Sequence, residues 1–63
     1  MTIDIGSKLK AKRVQMNLTQ LELATKVGVS ESYICQIENG KMVSIKKLEQ
    51  LAKAVGCKAK DLL

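Results

Sequence analysis

Glu31, Ser32, Cys35 and Gln36 recur at a spacing that puts all four on one face of a helix. Their atoms suit hydrogen bonding: a carboxylate accepts, while a hydroxyl and an amide both donate and accept. A helix exposing such a face can enter a DNA major groove and present these groups to base edges. Catalytic chemistry finds no comparable set. Asp4, Glu22, Glu31, Glu38, Glu49 and Asp61 are dispersed, there is no His, and spacing pairs neither Cys35 nor Cys57 with a general base. The chain is therefore expected not to be an enzyme. The two thiols lie 22 residues apart with no third ligand. They make neither a zinc site nor a disulfide framework and read as reduced cytosolic cysteines, so no metal and no cofactor is expected.

These polar residues need a scaffold, and 63 residues allow one domain, 1–63. A chain of this size buries only roughly 60% of its unfolded surface, so one core must be used efficiently. Tyr33 is the only aromatic residue, which weakens an all-β reading. The net charge is +5, from 11 basic and 6 acidic residues. That charge suits a polyanionic partner and equally suits a merely soluble, Lys-rich surface. The start, MTIDIGSKLKAKR, has no apolar run of the signal-peptide kind, and no stretch approaches the ~20 apolar residues that span a bilayer.

Five helical segments are predicted. The first runs from about Ile5 to Met16, with Asp4 as N-cap and Ile5, Leu9 and Met16 on its inner face. The second follows Thr19, which forms a capping box with Glu22, while Leu18 and Leu23 form a hydrophobic staple. It ends near Val27, before Gly28. The third follows Ser30, stapled by Val29 and Ile34, and closes at Gly40. The fourth follows Ser44, with Ile45, Leu48, Leu51, Ala52 and Val55 at 3–4 spacing. A short fifth is expected over about Lys58 to Leu62.

The stretch QLELATKVGVSESYICQIEN, Gln20 to Asn39, reads as two helices meeting steeply through a tight turn. Ala24 is small where the helices nearly touch. Gly28 tolerates the left-handed turn. Leu23, Val27, Val29, Ile34 and Ile37 fill the angle. The same spacing also suits a helical hairpin inside an unrelated bundle.

LKAKRVQMNLTQLELATKVGVSESYICQIENGK, Leu9 to Lys41, resembles the phage lambda-repressor and Cro family of helix-turn-helix regulators. Arg13, Thr19-Gln20, Leu23-Ala24, Gly28, Ile34 and the Glu38-Asn39-Gly40-Lys41 run carry the likeness. The ending LEQLAKAVGCKAKDLL resembles that family's fourth and fifth helices. The resemblance implies an all-α, compact five-helix lambda-repressor-like DNA-binding domain, with the helix-turn-helix as helices two and three. It implies a sequence-specific transcription regulator of double-stranded DNA, a repressor acting as a homodimer in a bacterial or phage-encoded, cytoplasmic setting. No small-molecule effector and no membrane are expected.

Residue by residue, the resemblance implies that Gln20 binds phosphate at a helix N-terminus, where free N–H groups and the dipole favour an anion. Thr19 can add a hydroxyl there and also cap. Ser30, Glu31, Ser32 and Gln36 match the DNA-facing positions. Glu31, Ser32 and Gln36 are the base readers, Gln36 toward adenine and Glu31 toward cytosine. Glu31 also suits the helix dipole as a first-turn acid. Tyr33 either contacts phosphate or covers core. Asn39 and Lys41 match backbone contacts, and Lys10 and Lys12 can reach flanking phosphates. Arg13 and Glu38 match a structural salt bridge, so Glu38 belongs to the scaffold. Lys41-Met42-Val43-Ser44 departs from the family by lacking a Pro and one residue, and Lys58 replaces its usual Ser-like cap. Met42, Val43, Leu62 and Leu63 are candidate dimer contacts and equally candidate core fillers. The alternative is a protein-interaction or antitoxin-type module of the same fold, which an exposed Leu21 fits.

Overall fold

The computed structural model describes residues 5–63. The expected Asp4 cap lies outside them. Among the described residues there are four α-helices rather than five: α1 (Ile5–Gln15), α2 (Gln20–Val27), α3 (Glu31–Glu38) and α4 (Ile45–Ala54). The segment expected to be a fifth helix is a single 3₁₀ turn, Ala59–Leu62. Lys58 has no side-chain acceptor to cap it, so the Asp61 carboxylate accepts from the Lys58 N–H instead, at 3.1 Å.

Each helix end has a local cause. Helix α1 stops one residue earlier than expected because Asn17 turns left-handed, at φ 57°. The Leu18 N–H then donates to the Arg13 carbonyl at 3.0 Å, closing the α1 end. At α2, Thr19 Oγ1 accepts from the Glu22 N–H at 3.0 Å, and Glu22 Oε1 accepts from the Thr19 N–H at 2.8 Å. Gly28, at φ 81°, ends α2 in the left-handed region. Ser30 and Ser44 cap α3 and α4 through their hydroxyls, each at 3.1 Å.

The core is built from Leu9 of α1, Leu23 and Ala24 of α2, Ile34 and Ile37 of α3, Leu48, Leu51 and Ala52 of α4, then Val55 and Leu62. Helix α3 packs against α2 and α1, while the 3₁₀ turn packs against α4 and α1. Two inner-face expectations change, and one dimer candidate joins the core. Met16 is largely exposed, its end lying over Gly56. Ile45 is exposed, because it opens α4 before the helix reaches the core. Leu62, a candidate dimer contact, is fully buried and holds the last turn to the core. The other candidates split: Met42 is 90% exposed, Leu63 is exposed and Val43 is half-buried.

Gly6 shows how closely α1 lies against α3. A Cβ there would come within 2.9 Å of the Glu38 carbonyl oxygen and nearer still to that of Ile37. Only Gly permits this approach. It seats α1 against the last turn of α3 and so fixes the pose of that helix.

Candidate nucleic-acid interface

Burial divides α3 into two sides. Ile34 and Ile37 are fully buried, while Glu31, Ser32 and Gln36 are exposed. Cys35, expected on the outer face, is half-buried. Ala24 is buried under the turn and Gly28 makes it, with the Gly28 N–H donating to the Ala24 carbonyl at 2.8 Å. Three hydrogen-bonding side chains thus stand on the solvent side of a helix whose other side is locked into the core. Glu31 also lies in the first turn, where the free N–H groups favour an acid.

The N-terminus of α2 stands beside the C-terminal end of α3. Gln20 Nε2 donates to Glu38 Oε1 at 3.0 Å, across 18 residues. Arg13 Nε donates to Glu38 Oε2 at 2.7 Å, and Arg13 Nη2 to Glu38 Oε1 at 3.2 Å. The guanidinium also donates through Nη1 to the Leu18 carbonyl at 2.7 Å. The Arg13 and Glu38 side chains are only 11% and 4% exposed, so this is an ion pair largely withdrawn from water. Forked, charge-assisted pairing of this kind fixes geometry as well as charge. Spacing in the sequence gives no hint of the Gln20 bond, because it depends on how α2 meets α3.

The remaining candidates are distributed as follows. Thr19 and Ser30 are exposed at their caps. Tyr33 is half-buried with its ring against the core, and Lys41 Nζ lies 6.0 Å from that ring's centroid. Tyr33 and Lys41 are therefore neighbours. The Asn39 amide donates to the Cys35 carbonyl at 2.8 Å, ending α3. Lys10 is exposed on α1. Lys12 is half-buried and close enough to Cys57 to act on its thiol. Burial, and then Asp61, nevertheless push the Cys57 thiol above its ordinary value of 9.0. Among the described residues no group of three His, Cys, Asp or Glu side chains converges as a metal site would need. No described helix is long and apolar enough to cross a membrane.

Residues 9–62 match a helix-turn-helix family model. An uncharacterized HTH-type transcriptional regulator of Methanocaldococcus jannaschii is 46% identical over 57 residues, covering 89% of this chain and 86% of its own. The immunity repressor protein of Bacillus phage phi105 is 40% identical over 53 residues, covering 82% of this chain and 37% of the longer phage protein. The chain belongs to the lambda-repressor and Cro class of helix-turn-helix DNA-binding regulators. Among solved structures, the restriction-modification controller protein C.AhdI from Aeromonas hydrophila has a TM-score of 0.90 at 29% identity, covering 97% of this chain and 94% of the controller. The biofilm regulator SinR, solved in complex with DNA, has a TM-score of 0.85 at 32% identity, covering 92% of this chain and 95% of the SinR chain in that structure.

Proposed function

We propose that this chain is a sequence-specific repressor of transcription that binds a pseudo-palindromic operator as a homodimer, with α3 in the major groove. The observation that carries the reading is the division of α3, with Ile34 and Ile37 in the core and Glu31, Ser32 and Gln36 in solvent. Gln36 pairs with adenine through N6 and N7, Glu31 accepts from cytosine N4, and Ser32 tolerates either. Around them, Thr19, Gln20, Ser30, Tyr33, Asn39 and Lys41 hold the backbone, with Lys10 and Lys12 toward flanking phosphates. These contacts set register and most of the affinity, while the base contacts set sequence.

Size supports the dimer. One copy measures 30 × 20 × 20 Å. That spans less than one turn of B-DNA, so one copy reads a half-site, and a two-fold pair places its recognition helices about 34 Å apart. The regulators among its relatives support transcription control as the role. Exposed Leu21, at 56%, favours a second reading as a module of the same fold that acts through a protein partner. Binding to random duplex with a steep salt dependence supports the DNA reading, since each neutralised phosphate adds about −0.9 to the slope. Binding that is undetectable at low salt supports the partner reading.

The test is selection from a random duplex library. The wild type is expected to enrich one inverted-repeat motif, and Gln36→Ala to lose preference at one position of each half-site. A motif unchanged by that substitution removes Gln36 from the base readers.

A further inference from the structure

We propose that Glu38, held by Arg13, is a positioning residue for DNA binding: it pre-orients the Gln20 amide for its phosphate. This rests on the phosphate contact proposed for Gln20. A carboxylate only accepts hydrogen bonds, so the Gln20 amide must turn its NH₂ toward Glu38. One Nε2 hydrogen is then committed to Glu38 Oε1, at 3.0 Å. The second Nε2 hydrogen stays available. So do the backbone N–H groups of Gln20 and Leu21, which as the first residues of α2 have no carbonyl one turn earlier. The Glu22 N–H, by contrast, is taken by Thr19. Three donors at the start of α2 are thereby left for an anion before DNA arrives.

Two physical effects make the arrangement useful. Gln carries a long, rotamer-rich side chain, and ordering it in the free protein lowers the entropy lost on binding. A bare carboxylate beside Gln20 would also repel the phosphate that Gln20 is to hold. Arg13 removes that repulsion by pairing both Glu38 oxygens. The same guanidinium grips the Leu18 carbonyl, two residues before Gln20, so the entry to α2 and its first side chain are held by one group. Glu38 thus couples the end of the recognition helix to the start of the helix before it, without touching DNA.

Phosphate contacts are independent of sequence, so a random-sequence duplex at low salt serves as the probe. Gln20→Ala is expected to weaken binding roughly tenfold, the scale for a hydrogen bond to a charged group. Glu38→Ala, measured at a temperature where its far-UV circular dichroism matches wild type, is expected to weaken binding several-fold. In the Gln20→Ala background the same Glu38 substitution is expected to change affinity less than about twofold. Equal effects of Glu38→Ala in both backgrounds would overturn the inference, because a purely structural role is blind to Gln20. A second readout needs only the wild type and Gln20→Ala for assignment: the two side-chain amide protons of Gln20 in the free protein. One is expected downfield and slow to exchange; two solvent-like signals would refute the positioning, whether or not Glu38→Ala folds. Failure of the wild type to bind any duplex overturns the DNA reading itself, and the inference with it.

Discussion

Gly6→Ala tests the close seat of α1 on α3. Helix propensity alone predicts that this change stabilises, since Ala in a helix is better than Gly by roughly 0.5–1 kcal/mol. The structure predicts the opposite sign. The added methyl would lie 2.9 Å from the Glu38 carbonyl oxygen, 3.0 Å from its carbon and nearer still to the Ile37 oxygen. All three are backbone atoms, so no side chain can swing aside. Helix α1 must retreat by on the order of 1 Å, carrying Leu9 and Arg13 away from their partners. Overpacking of this kind costs about 1–3 kcal/mol. Set against the propensity gain, the net loss is centred a little above about 1 kcal/mol and reaches about 2.5 kcal/mol. In a domain of this size each kcal/mol moves the melting temperature by about 4–8 °C, so a fall of roughly 5–15 °C is expected. Thermal melts followed by far-UV circular dichroism measure it. A melting temperature equal to or above wild type would refute the close-approach reasoning and leave propensity in command.

Three further outcomes follow from the same contacts. Glu38→Ala strands Arg13 in a site where its side chain is 11% exposed, and should cost about 3–5 kcal/mol in chemical denaturation; a thermal melt within about 2 °C of wild type would contradict this. Leu62→Ala removes a fully buried side chain and should cost about 2–5 kcal/mol, whereas a neutral result would mean that the last turn is not part of the core. Cys57 supplies a pH test. Its thiol is raised above 9.0 by burial and by Asp61, so the folded protein holds that proton longer than the unfolded chain. Its contribution to stability is full below the unfolded value and is lost as pH rises through the folded one. Wild type should therefore lose more stability than Cys57→Ser as pH rises from below 9.0 through the folded thiol's raised value, and equal losses would contradict the raised thiol.

The parts of the fold governed by local rules were legible in the chain. The Thr19, Ser30 and Ser44 caps and the Gly28 turn depend on residues within four positions of one another, and their signals are chemical and specific. So is the split of α3, which follows from helical period. Less legible was whatever depends on how separate elements meet. Met16 and Ile45 satisfy the apolar period yet stand at helix ends, beyond the core's reach. Leu62 suits a dimer contact and a core position equally in sequence, and only the packing of the 3₁₀ turn against α4 decides for the core. Lys58 gave the last segment a weak start, and the short run after it closes only one 3₁₀ turn. Asn17 carried a stop signal that the first helix prediction passed over, since Asn tolerates left-handed backbone better than other residues with side chains. Gly6 gave no signal at all, because a glycine near a helix start has many uses and only the α1–α3 contact selects among them. The Gln20–Glu38 bond was hidden for the same reason, although both residues were singled out separately for other roles.

The exposed face of α3, backed by the N-terminus of α2, is the surface proposed to meet DNA. Titrating the ¹⁵N-labelled protein with a short duplex and following its amide resonances tests this directly. The largest shifts are expected on Thr19 and Gln20 and on Ser30 through Gln36, and they should diminish as salt is raised. Shifts concentrated instead on Met42 to Lys47 and the 3₁₀ turn, with α3 unmoved, would contradict it.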